Sequence, residues 1–412
     1  MNTDMLSVAE ALARITAAFE ALPAETVGLT GALGRVLAED VAARVTQPPK
    51  DVSAMDGYAV RAADVAQVTA DAPARLEVIG RVPAGSDFAG AVGPGQAVRI
   101  FTGAPVPEGA DAIVIQEDTE RDGDTVVVKE GAAPGTYVRP AGLDFHVGEI
   151  GLAAGRLLTA RDVGLAAAMD RAWLQVHRRP RVALLATGDE VVLPGDPRGP
   201  TQIVSSNGFS LAAFVEACGG QPIHLGIAPD DTAALKALVD GARGADLLVT
   251  TGGVSVGEHD LIREALGEQG LEMDFWRIAM RPGKPLLFGR IGATPILGLP
   301  GNPVSSLVCA TLFLRPAIAV MLGRDNGGAV PETAVLGAPL GANDRRQDYL
   351  RARLDTDAEG RRRALPFERQ DSSMLATLAQ ADCLVVRAPH APAAEAGEVV
   401  EIVPLQGGVL NI

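Results

Sequence analysis

The stretch Asp246-Leu247-Leu248-Val249-Thr250-Thr251-Gly252-Gly253-Val254-Ser255-Val256-Gly257-Glu258-His259-Asp260 decides the fold of this chain. Its apolar start predicts a buried strand, and the glycines that follow predict a tight loop. Asp260 then precedes an amphipathic run from Leu261, as expected for the N-cap of a helix. In an α/β sheet such a junction lies at the carboxyl edge, where ligands bind. A turn and a helix cap that bind no ligand would give the same pattern. Neither a G-x-G-x-x-G nor a Walker A motif is present to favour a nucleotide site instead.

More strand, loop and helix units surround this stretch in residues 178–328. Apolar runs predict strands at 182–186, 222–225, 286–288 and 296–299, and amphipathic runs predict helices at 206–218, 232–241 and 304–321. Repeated units of this kind predict a doubly wound, mostly parallel sheet.

The rest of the chain predicts three further parts. Residues 6–22 have helical periodicity with a capping box at Ser7 and Glu10, and a second helix is expected from 29 to 43. Residues 151–176 return to a helical pattern, so we expect one discontinuous helical and extended domain, 1–50 plus 146–177. Short β-like runs at 76–79, 98–101, 112–115 and 125–128 predict an inserted β-rich domain, 51–145. Strands at 351–354, 383–386 and 399–403 predict a small C-terminal β domain, 329–412, after an α/β domain at 178–328.

Composition narrows the function. The 412 residues carry 36 Lys and Arg against 51 Asp and Glu, a net charge of −15, which argues against nucleic acid or anionic membrane as a partner. The 3 cysteines form no C-x-x-C pair, so neither a disulfide framework nor a zinc knuckle is expected. Acidic Asp4 and Glu10 stand where a signal peptide would be basic and apolar, and no run suggests a membrane span. We therefore expect a cytoplasmic protein.

Loops of similar composition follow several strands of the α/β domain. They occupy 187–190, 251–260 and 300–303, and parallel strands would bring them to one edge. Their glycines would let a phosphate approach the backbone, and helix starts at Val304 and Leu261 would offer free N–H groups. Arg281-Pro282-Gly283-Lys284-Pro285 adds two cations on a stiff frame. A solvated surface turn is the alternative, but anion binding is the better interpretation in an acidic chain.

The acidic residues at the same edge indicate a cation. Glu190, Asp230 or Asp231, and Asp260 lie at strand or helix ends, and close carboxylates repel one another unless a proton or a cation intervenes. Oxygen ligands without Cys or His suit Mg²⁺, which is commonly shared with substrate phosphates. Phosphate, lysine and hard cation together indicate chemistry at a phosphoanhydride or a related oxyanion.

Six motifs together resemble one family, the molybdopterin molybdenumtransferases, known as MoeA in bacteria and as the E domain of gephyrin in animals. They are Ser53-Ala54-Met55-Asp56-Gly57-Tyr58-Ala59, Thr102-Gly103-Ala104-Pro105-Val106-Pro107-Glu108-Gly109-Ala110-Asp111, Ala186-Thr187-Gly188-Asp189-Glu190, the 251–260 loop, the 281–285 turn, and Leu299-Pro300-Gly301-Asn302-Pro303-Val304-Ser305. Each alone could arise by chance, whereas their order makes a specific match.

The resemblance implies an elongated, multi-domain homodimer that completes molybdenum cofactor assembly. Adenylylated molybdopterin would be bound, AMP released and molybdate inserted at the dithiolene, with Mg²⁺ as cofactor. The site would be shared between subunits. Molybdopterin adenylyltransferase and apo-molybdoenzymes would be partners. The rival functions are molybdopterin adenylyltransferase itself, which lacks the inserted and C-terminal β domains, and a gephyrin-like scaffold.

The resemblance also assigns residues by matching position. The expected catalytic residues are Asp56, Thr102, Asp144, Glu190, Asp230 and Asp260, with Glu190 and Asp260 as metal ligands. The expected substrate-binding residues are Thr251, Gly252, Gly253, Ser255, Gly257, Arg281, Lys284, Pro300, Gly301, Asn302, Pro303, Arg351 and Ser372. Two local departures from the family pattern occur, at Leu143 and at Ser205-Ser206-Asn207.

Overall fold

The structure is a computed structural model that describes residues 5–253, 267, 270–324 and 332–405. Its helices are α1 Val8–Ala17, α2 Ala62–Val65, α3 Ala160–Ala168, α4 Asn207–Ala217, α5 Thr232–Asp240, α6 Pro303–Met321 and α7 Leu375–Leu378. Its strands are β1 Ala24–Gly28, β2 Val41–Ala42, β3 Val52–Ser53, β4 Gly57–Val60, β5 Ala74–Val82, β6 Gln96–Ile100, β7 Ala112–Ile115, β8 Thr119–Asp122, β9 Thr125–Val128, β10 Val138–Arg139, β11 Ile150–Leu152, β12 Trp173–His177, β13 Arg181–Thr187, β14 Val191–Val192, β15 Ile203–Val204, β16 Gln221–Ala228, β17 Leu247–Thr251, β18 Leu271–Arg277, β19 Met280–Arg281, β20 Pro285–Ile291, β21 Thr294–Leu299, β22 Glu332–Leu336, β23 Gln347–Thr356, β24 Arg362–Pro366, β25 Cys383–Arg387 and β26 Val399–Pro404.

The chain divides into two compact units. The first comprises Met1–Glu39, Ala154–Ala160 and Gln175–Ile412, and the second comprises Asp40–Ala153 and Arg161–Leu174. The chain therefore leaves the first unit and re-enters it, so the protein is multi-domain. The division into four domains that the sequence suggests stays a prediction.

A six-stranded sheet in the order β16-β13-β17-β21-β20-β18 forms the centre of the first unit. Alternate residues of β13 enter opposite cores, Val182 and Leu184 on one face and Ala183 and Leu185 on the other. Helices α1, α4 and α6 cover the first face and α5 covers the second. Burial on both faces explains why the strands appear in the sequence as continuous apolar runs.

The sheet is mixed, whereas the sequence predicted a mostly parallel one. Strands β16, β13, β17 and β21 are parallel, but β20 pairs antiparallel with both β21 and β18. Strands β20 and β21 are joined by two residues, of which Gly292 has a φ of 58°. So short a connection joins only antiparallel strands. The edge strand β18 was not predicted, since Glu272 and Asp274 interrupt its apolar pattern.

The predicted helix from 29 to 43 is wrong. This region holds a single 3-10 turn at Leu29–Gly31, and then Val36 and Leu37 form β-bridges with Leu157 and Val176. Residues 151–176 are helical only in α3. Long-range strand pairing thus overrides local helix propensity in this part of the chain. The N-terminal helix is confirmed in its centre, with the Ser7 and Glu10 capping box present.

The two β regions follow their predicted strands. In the second unit, a sheet in the order β7-β4-β6-β5-β9-β8 contains all four predicted strands. In the C-terminal region, β23-β24-β22-β26-β25 closes through the β23–β25 pairing into a barrel-like sheet. Mostly small side chains, among them Ala334, Ala352 and Ala364, fill its interior.

Helix α6 is long and apolar enough to cross a membrane by length and composition alone. Of its most apolar window, however, 78% is buried inside the protein, where Phe313, Ala317 and Ile318 belong to the main core. It is therefore a core helix of the first unit.

A bidentate ion pair holds the start of β17. Arg178 donates to both carboxylate oxygens of Asp246 at 2.7 and 2.6 Å, and the Arg181 amide donates to the same carboxylate at 2.8 Å. The hydrogen bonds to Asp246 raise the pKa of the Arg178 guanidinium. Because the Asp246 side chain is only 13% exposed, this pair fixes β17 against β13.

Replacing this carboxylate should destabilise the first unit. Asp246→Asn is expected to cost about 1.5–3 kcal/mol of unfolding free energy, since hydrogen bonds to a charged group are lost at a shielded site. Urea unfolding followed by circular dichroism measures it. The matched control is Asp240→Asn, which removes an ion pair with Arg243 whose side chains are 57% and 82% exposed and should change stability by less than about 0.5 kcal/mol. Equal effects of the two variants would contradict the assigned role.

Candidate active site

A polar cavity of about 630 Å³ lies at the carboxyl ends of β13, β17 and β21. The loops that follow these three strands meet there, as the sequence predicted for a shared edge. Its lining includes Thr187, Glu190, Ser205, Asn207, Thr251, Gly252, Gly253, Pro300, Gly301, Asn302, Pro303 and Ser373. Seven of the expected substrate-binding residues and one expected metal ligand therefore lie together.

Asn207 ties the three loops together. Its Nδ2 donates to Thr251 Oγ1 and to the Gly301 carbonyl, each at 2.7 Å. A carbonyl can only accept, so the amide nitrogen must face it. The other amide atom, Oδ1, is buried and has no hydrogen-bond partner among the described residues. Asn207 therefore joins the end of β17 and the loop after β21 to the start of α4.

Sequence reasoning did not select Asn207 as a site residue. The segment Ser205-Ser206-Asn207 stands out in the sequence only as a departure from the family pattern. A usable signal was present, however, since Asn207 is the first residue of α4 and follows two serines. A polar residue at a helix start beside a strand edge is well placed to contact a ligand.

Close approach of the loop backbones depends on glycine. Gly252 has a φ of 90°, and a Cβ atom there would lie 2.8 Å from the Thr187 carbonyl oxygen. A Cβ atom on Gly301 would lie 3.5 Å from the Cα of Gly252. Any side chain at Gly252 would thus push the β13 and β17 loops apart. The floor of the cavity is bare backbone, as an approaching phosphate requires.

Of the expected acids at this edge that the structure describes, Glu190 alone lines the cavity. Its carboxylate folds back over Gly188, where a Cβ atom would meet Oε2 at 2.5 Å. Asp230 is exposed at the end of β16, and its amide donates to Asp189 Oδ1 at 3.0 Å. The structure does not bring the Asp230 side chain into the cavity lining.

The start of α6 forms another wall. The helix begins at Pro303, and the Val304 amide donates to the Ser372 carbonyl at 3.2 Å. The expectation of a free N–H at Val304 is therefore wrong, because the C-terminal region uses that donor. Asn302 Nδ2 donates to Ser372 Oγ at 2.8 Å, which places Ser372 beside the cavity.

The two expected cations do not line the cavity. The Arg281 guanidinium donates to Asp348 and lies 3.5 Å from an oxygen of Asp344, and the hydrogen bond to Asp348 raises its pKa. Lys284 is half-buried and its carbonyl accepts from the Ile278 amide at 3.1 Å. In this conformation the charge of Arg281 is balanced by carboxylates of the C-terminal region.

Arg351 acts inside the C-terminal region. It is 1% exposed and donates to Gln370 Oε1 at 3.1 Å and to the Met374 carbonyl at 3.2 Å. Burial lowers the pKa of its guanidinium. Its hydrogen bonds hold the 367–374 segment, which carries Ser372, so Arg351 positions a residue of the site.

Asp56, Thr102 and Asp144 belong to the second unit. Asp56 Oδ1 accepts from the amide and the hydroxyl of Thr102 at 2.8 and 2.7 Å, and these bonds lower the pKa of Asp56. Asp144 lines a separate cavity of about 830 Å³, together with Lys50 and Arg139. Ser255, Gly257 and Asp260, and the helix expected from Leu261, lie outside the described residues.

The cavity offers oxygen ligands of the kind that Mg²⁺ prefers. Glu190 contributes a carboxylate and Ser205 a hydroxyl-bearing side chain to the lining. Over the described part of the chain, no cluster of three or more His, Cys, Asp or Glu residues occurs. Mg²⁺ is often held by one or two carboxylates with substrate phosphates, so these donors fit that ion.

A cavity with a glycine floor and one carboxylate, at the carboxyl ends of parallel strands, is typical of the ligand site of an α/β enzyme. Three family models match the chain, namely the MoeA N-terminal region (domain I and II) at 6–169, a probable molybdopterin binding domain at 183–320, and the MoeA C-terminal region (domain IV) at 333–405.

Individual members of the same family are similar to this chain in sequence and in structure. Molybdopterin molybdenumtransferase 2 of Mycobacterium tuberculosis is 41% identical over 339 residues, 81% of this chain and 84% of that protein. Molybdopterin molybdenumtransferase of Haemophilus influenzae is 35% identical over 383 residues, 92% and 93% of the two chains. Two crystal structures of the molybdopterin biosynthesis MoeA protein from Pyrococcus horikoshii have TM-scores of 0.84 at 33% and 28% identity, covering 98% and 97% of this chain and 100% of theirs.

The chain belongs to the MoeA family of molybdopterin molybdenumtransferases. It is a transferase that functions in molybdenum cofactor biosynthesis.

The Thr102 hydroxyl should control the ionisation of Asp56. Thr102→Val removes one of the two hydrogen bonds that lower the pKa of Asp56, so that pKa should rise toward its ordinary value. The stability that Asp56 contributes is present above its unfolded pKa and is lost as pH falls through its lower folded pKa. In the variant that loss should begin at a higher pH. Carbon-13 NMR titration of the aspartate carboxyls measures the shift.

Asp371 provides the internal control for this titration. It accepts from the amide and the hydroxyl of Ser373 at 2.8 and 2.6 Å, which lower its pKa in the same way. Its pKa should not change in Thr102→Val. An unchanged pKa of Asp56 would contradict the role given to the Thr102 hydroxyl.

Proposed function

We propose that this chain is a molybdopterin molybdenumtransferase that binds adenylylated molybdopterin, cleaves its phosphoanhydride with water so that AMP leaves and molybdopterin keeps its phosphate, and inserts molybdate at the dithiolene with release of water. The observation that carries the proposal is the Asn207 tie, which holds Thr251 and Gly301 around a bare glycine floor. A phosphate can approach such a floor without steric conflict.

Each wall of the cavity has a part in this reaction. The glycine floor at Gly252 and Gly301 would leave room for the phosphate, and the amides of Asn207 and Asn302 orient the loops around it. Glu190, with Asp260 beyond the described residues, would hold Mg²⁺. That ion would neutralise phosphate charge and favour AMP as the leaving group. Ser372 and Ser373 close the opposite wall.

Supply and assembly complete the proposal. A molybdopterin adenylyltransferase would provide the substrate, and apo-molybdoenzymes would take the product in the cytoplasm.

We further propose an elongated homodimer in which Asp56, Thr102 and Asp144 of the second unit complete the site of the other subunit. The cavity of the second unit supports this role, because Asp144, Lys50 and Arg139 offer charged groups to a ligand there.

The direct test is incubation of the purified protein with adenylylated molybdopterin, MgCl₂ and molybdate. We expect AMP release, measured by chromatography, and active cofactor, measured by reconstitution of an apo-enzyme. Chelation of Mg²⁺ should abolish both. Glu190→Gln should slow AMP release on the order of 10²-fold because one charged oxygen ligand is lost.

Glu216→Gln is the matched control for Glu190→Gln. Glu216 is exposed on α4 outside the cavity lining, and the substitution removes the same charge. It should leave the rate unchanged. ATP-dependent adenylylation of molybdopterin by this protein alone would overturn the proposal in favour of an adenylyltransferase. A Glu190→Gln protein that is fully active at limiting Mg²⁺ would show that Glu190 does not bind the ion.

Mixed dimers test the shared site. Glu190→Gln lies in the first unit and Asp56→Asn lies in the second, and each should inactivate the homodimer. If one site draws on both subunits, random exchange should restore about a quarter of the wild-type rate, because half of the dimers are mixed and carry one intact site. Differently tagged subunits report the exchange.

A mixture of two variants whose substitutions both lie in the first unit is the control for subunit exchange. Glu190→Gln mixed with Asn207→Ala should regain nothing, since both changes fall in the first unit. If the Glu190→Gln and Asp56→Asn subunits exchange but no activity returns, each subunit has a complete site of its own.

A further inference from the structure

The cavity of about 830 Å³ in the second unit takes its charged groups from two segments of the chain. We call it the second-unit cavity. Lys50 comes from the 47–53 segment, whereas Arg139 and Asp144 stand at the two ends of the 139–144 loop. The position of this loop therefore decides where two of the charged side chains lie.

Backbone pairing supports the 139–144 loop only at its ends. The short antiparallel pair of β3 with β10 supports one end, and an isolated β-bridge between Gln47 and Phe145 supports the other. Between these points the facing segment contains Pro48 and Pro49, which have no N–H group to donate. A regular ladder of hydrogen bonds therefore cannot continue along the loop.

Asp51 supplies an acceptor where the ladder is interrupted. Its Oδ1 accepts a hydrogen bond from the Ala141 amide at 2.8 Å. Its carbonyl accepts a hydrogen bond from the Val106 amide at 2.9 Å, in the loop that joins β6 to β7. A hydrogen bond to an ionised carboxylate is stronger than one to a neutral acceptor. One residue thus joins two loops of the second unit.

Two further amides of the 139–144 loop bind the same facing segment. The Gly142 amide donates to the Pro48 carbonyl at 2.9 Å, and the Asp144 amide donates to the Gln47 carbonyl at 3.0 Å. The bond to Asp51 comes first along the loop, and it is the one of the three that a side chain makes. Its loss should therefore loosen the loop as a whole.

We propose that Asp51 is a positioning residue for the molybdenumtransferase reaction, because it holds the 139–144 loop with Arg139 and Asp144 at the second-unit cavity. This inference rests on the proposed function, in which Asp144 completes the site of the other subunit. Asp51 acts through its acceptor oxygen and not through its charge. Its side chain contacts the loop backbone and lies outside the lining of the second-unit cavity.

Hydrogen exchange and NMR test the loop without turnover. In Asp51→Ala the amides of Gly142 and Asp144 should exchange on the order of 10-fold faster, because the loop opens more often once its charged acceptor is lost. The carboxyl carbon signal of Asp144 should shift in the same variant. Asp51→Asn should restore both readouts, since its side-chain oxygen can still accept from the Ala141 amide.

The rate of AMP release measures the effect on the reaction. Asp51→Ala should lower this rate by about 10- to 100-fold, because small displacements of reacting groups are costly. Asp51→Asn should recover most of the wild-type rate. Asp51 is exposed, so Asp51→Ala should fold as the wild-type protein does, which circular dichroism checks.

Asp64→Ala is the matched control. Asp64 Oδ2 accepts a hydrogen bond from the Gly95 amide at 2.9 Å, so this variant also removes one bond between an aspartate and a loop amide of the second unit. Both Asp64 and Gly95 lie outside the lining of the second-unit cavity. The variant should leave the Gly142 and Asp144 exchange rates, the Asp144 signal and AMP release unchanged.

Three results would overturn the inference. The first is an Asp51→Ala protein in which the Gly142 and Asp144 amides exchange at the wild-type rate. The second is an Asp51→Asn protein that is as slow as Asp51→Ala, since the reaction would then need the charge of Asp51 and not its acceptor. The third is an equal loss of rate in Asp64→Ala, because the loss would then follow from stability and not from the loop.

The inference and the proposed function can fail separately. If the wild-type protein releases no AMP, the proposed reaction is wrong, and hydrogen exchange decides whether Asp51 holds the loop. If the wild-type protein releases AMP and Asp51→Ala releases it equally fast, the reaction stands and the inference is wrong.

Discussion

The site depends on one amide group, that of Asn207. Its nitrogen binds a hydroxyl at the end of β17 and a carbonyl in the loop after β21, while its backbone starts α4. Three separate segments are therefore held by one planar group. Because a carbonyl cannot donate, the amide has a single allowed orientation.

The Asn207 tie works only because the loops it joins have no side chains at their closest points. A Cβ atom at Gly252 would meet the Thr187 carbonyl oxygen at 2.8 Å, whereas one at Gly301 would make an ordinary contact with the Cα of Gly252 at 3.5 Å. A side chain at Gly252 would therefore push the loops after β13 and β17 apart. Gly252 thus permits the close approach of the loops, and Asn207 holds them in that position.

The sequence predicts this region well because its strands are buried on both faces. Continuous apolar runs ending in small residues located β13, β17 and β21, and parallel pairing then required their loops to meet. The helix expected at 29–43 fails for the opposite reason. The pairing of Val36 and Leu37 with residues more than 100 positions away leaves no local signal. Asn207 was missed because its bonding partners are set by the tertiary structure and not by spacing in sequence.

Arg281 lies in the turn that the motif predicts, but its side chain does not line the cavity. Its turn predicts anion binding, yet Asp348, 67 residues further on, accepts its hydrogen bond, and Asp348 is 3% exposed. An arginine paired with a buried carboxylate cannot turn to a ligand without leaving that charge unpaired, which is costly. The C-terminal region therefore contributes to the cavity through the 367–374 segment held by Arg351. Its neutral Ser372 contacts Asn302 and Val304, so the wall is completed by hydrogen bonds and not by cations.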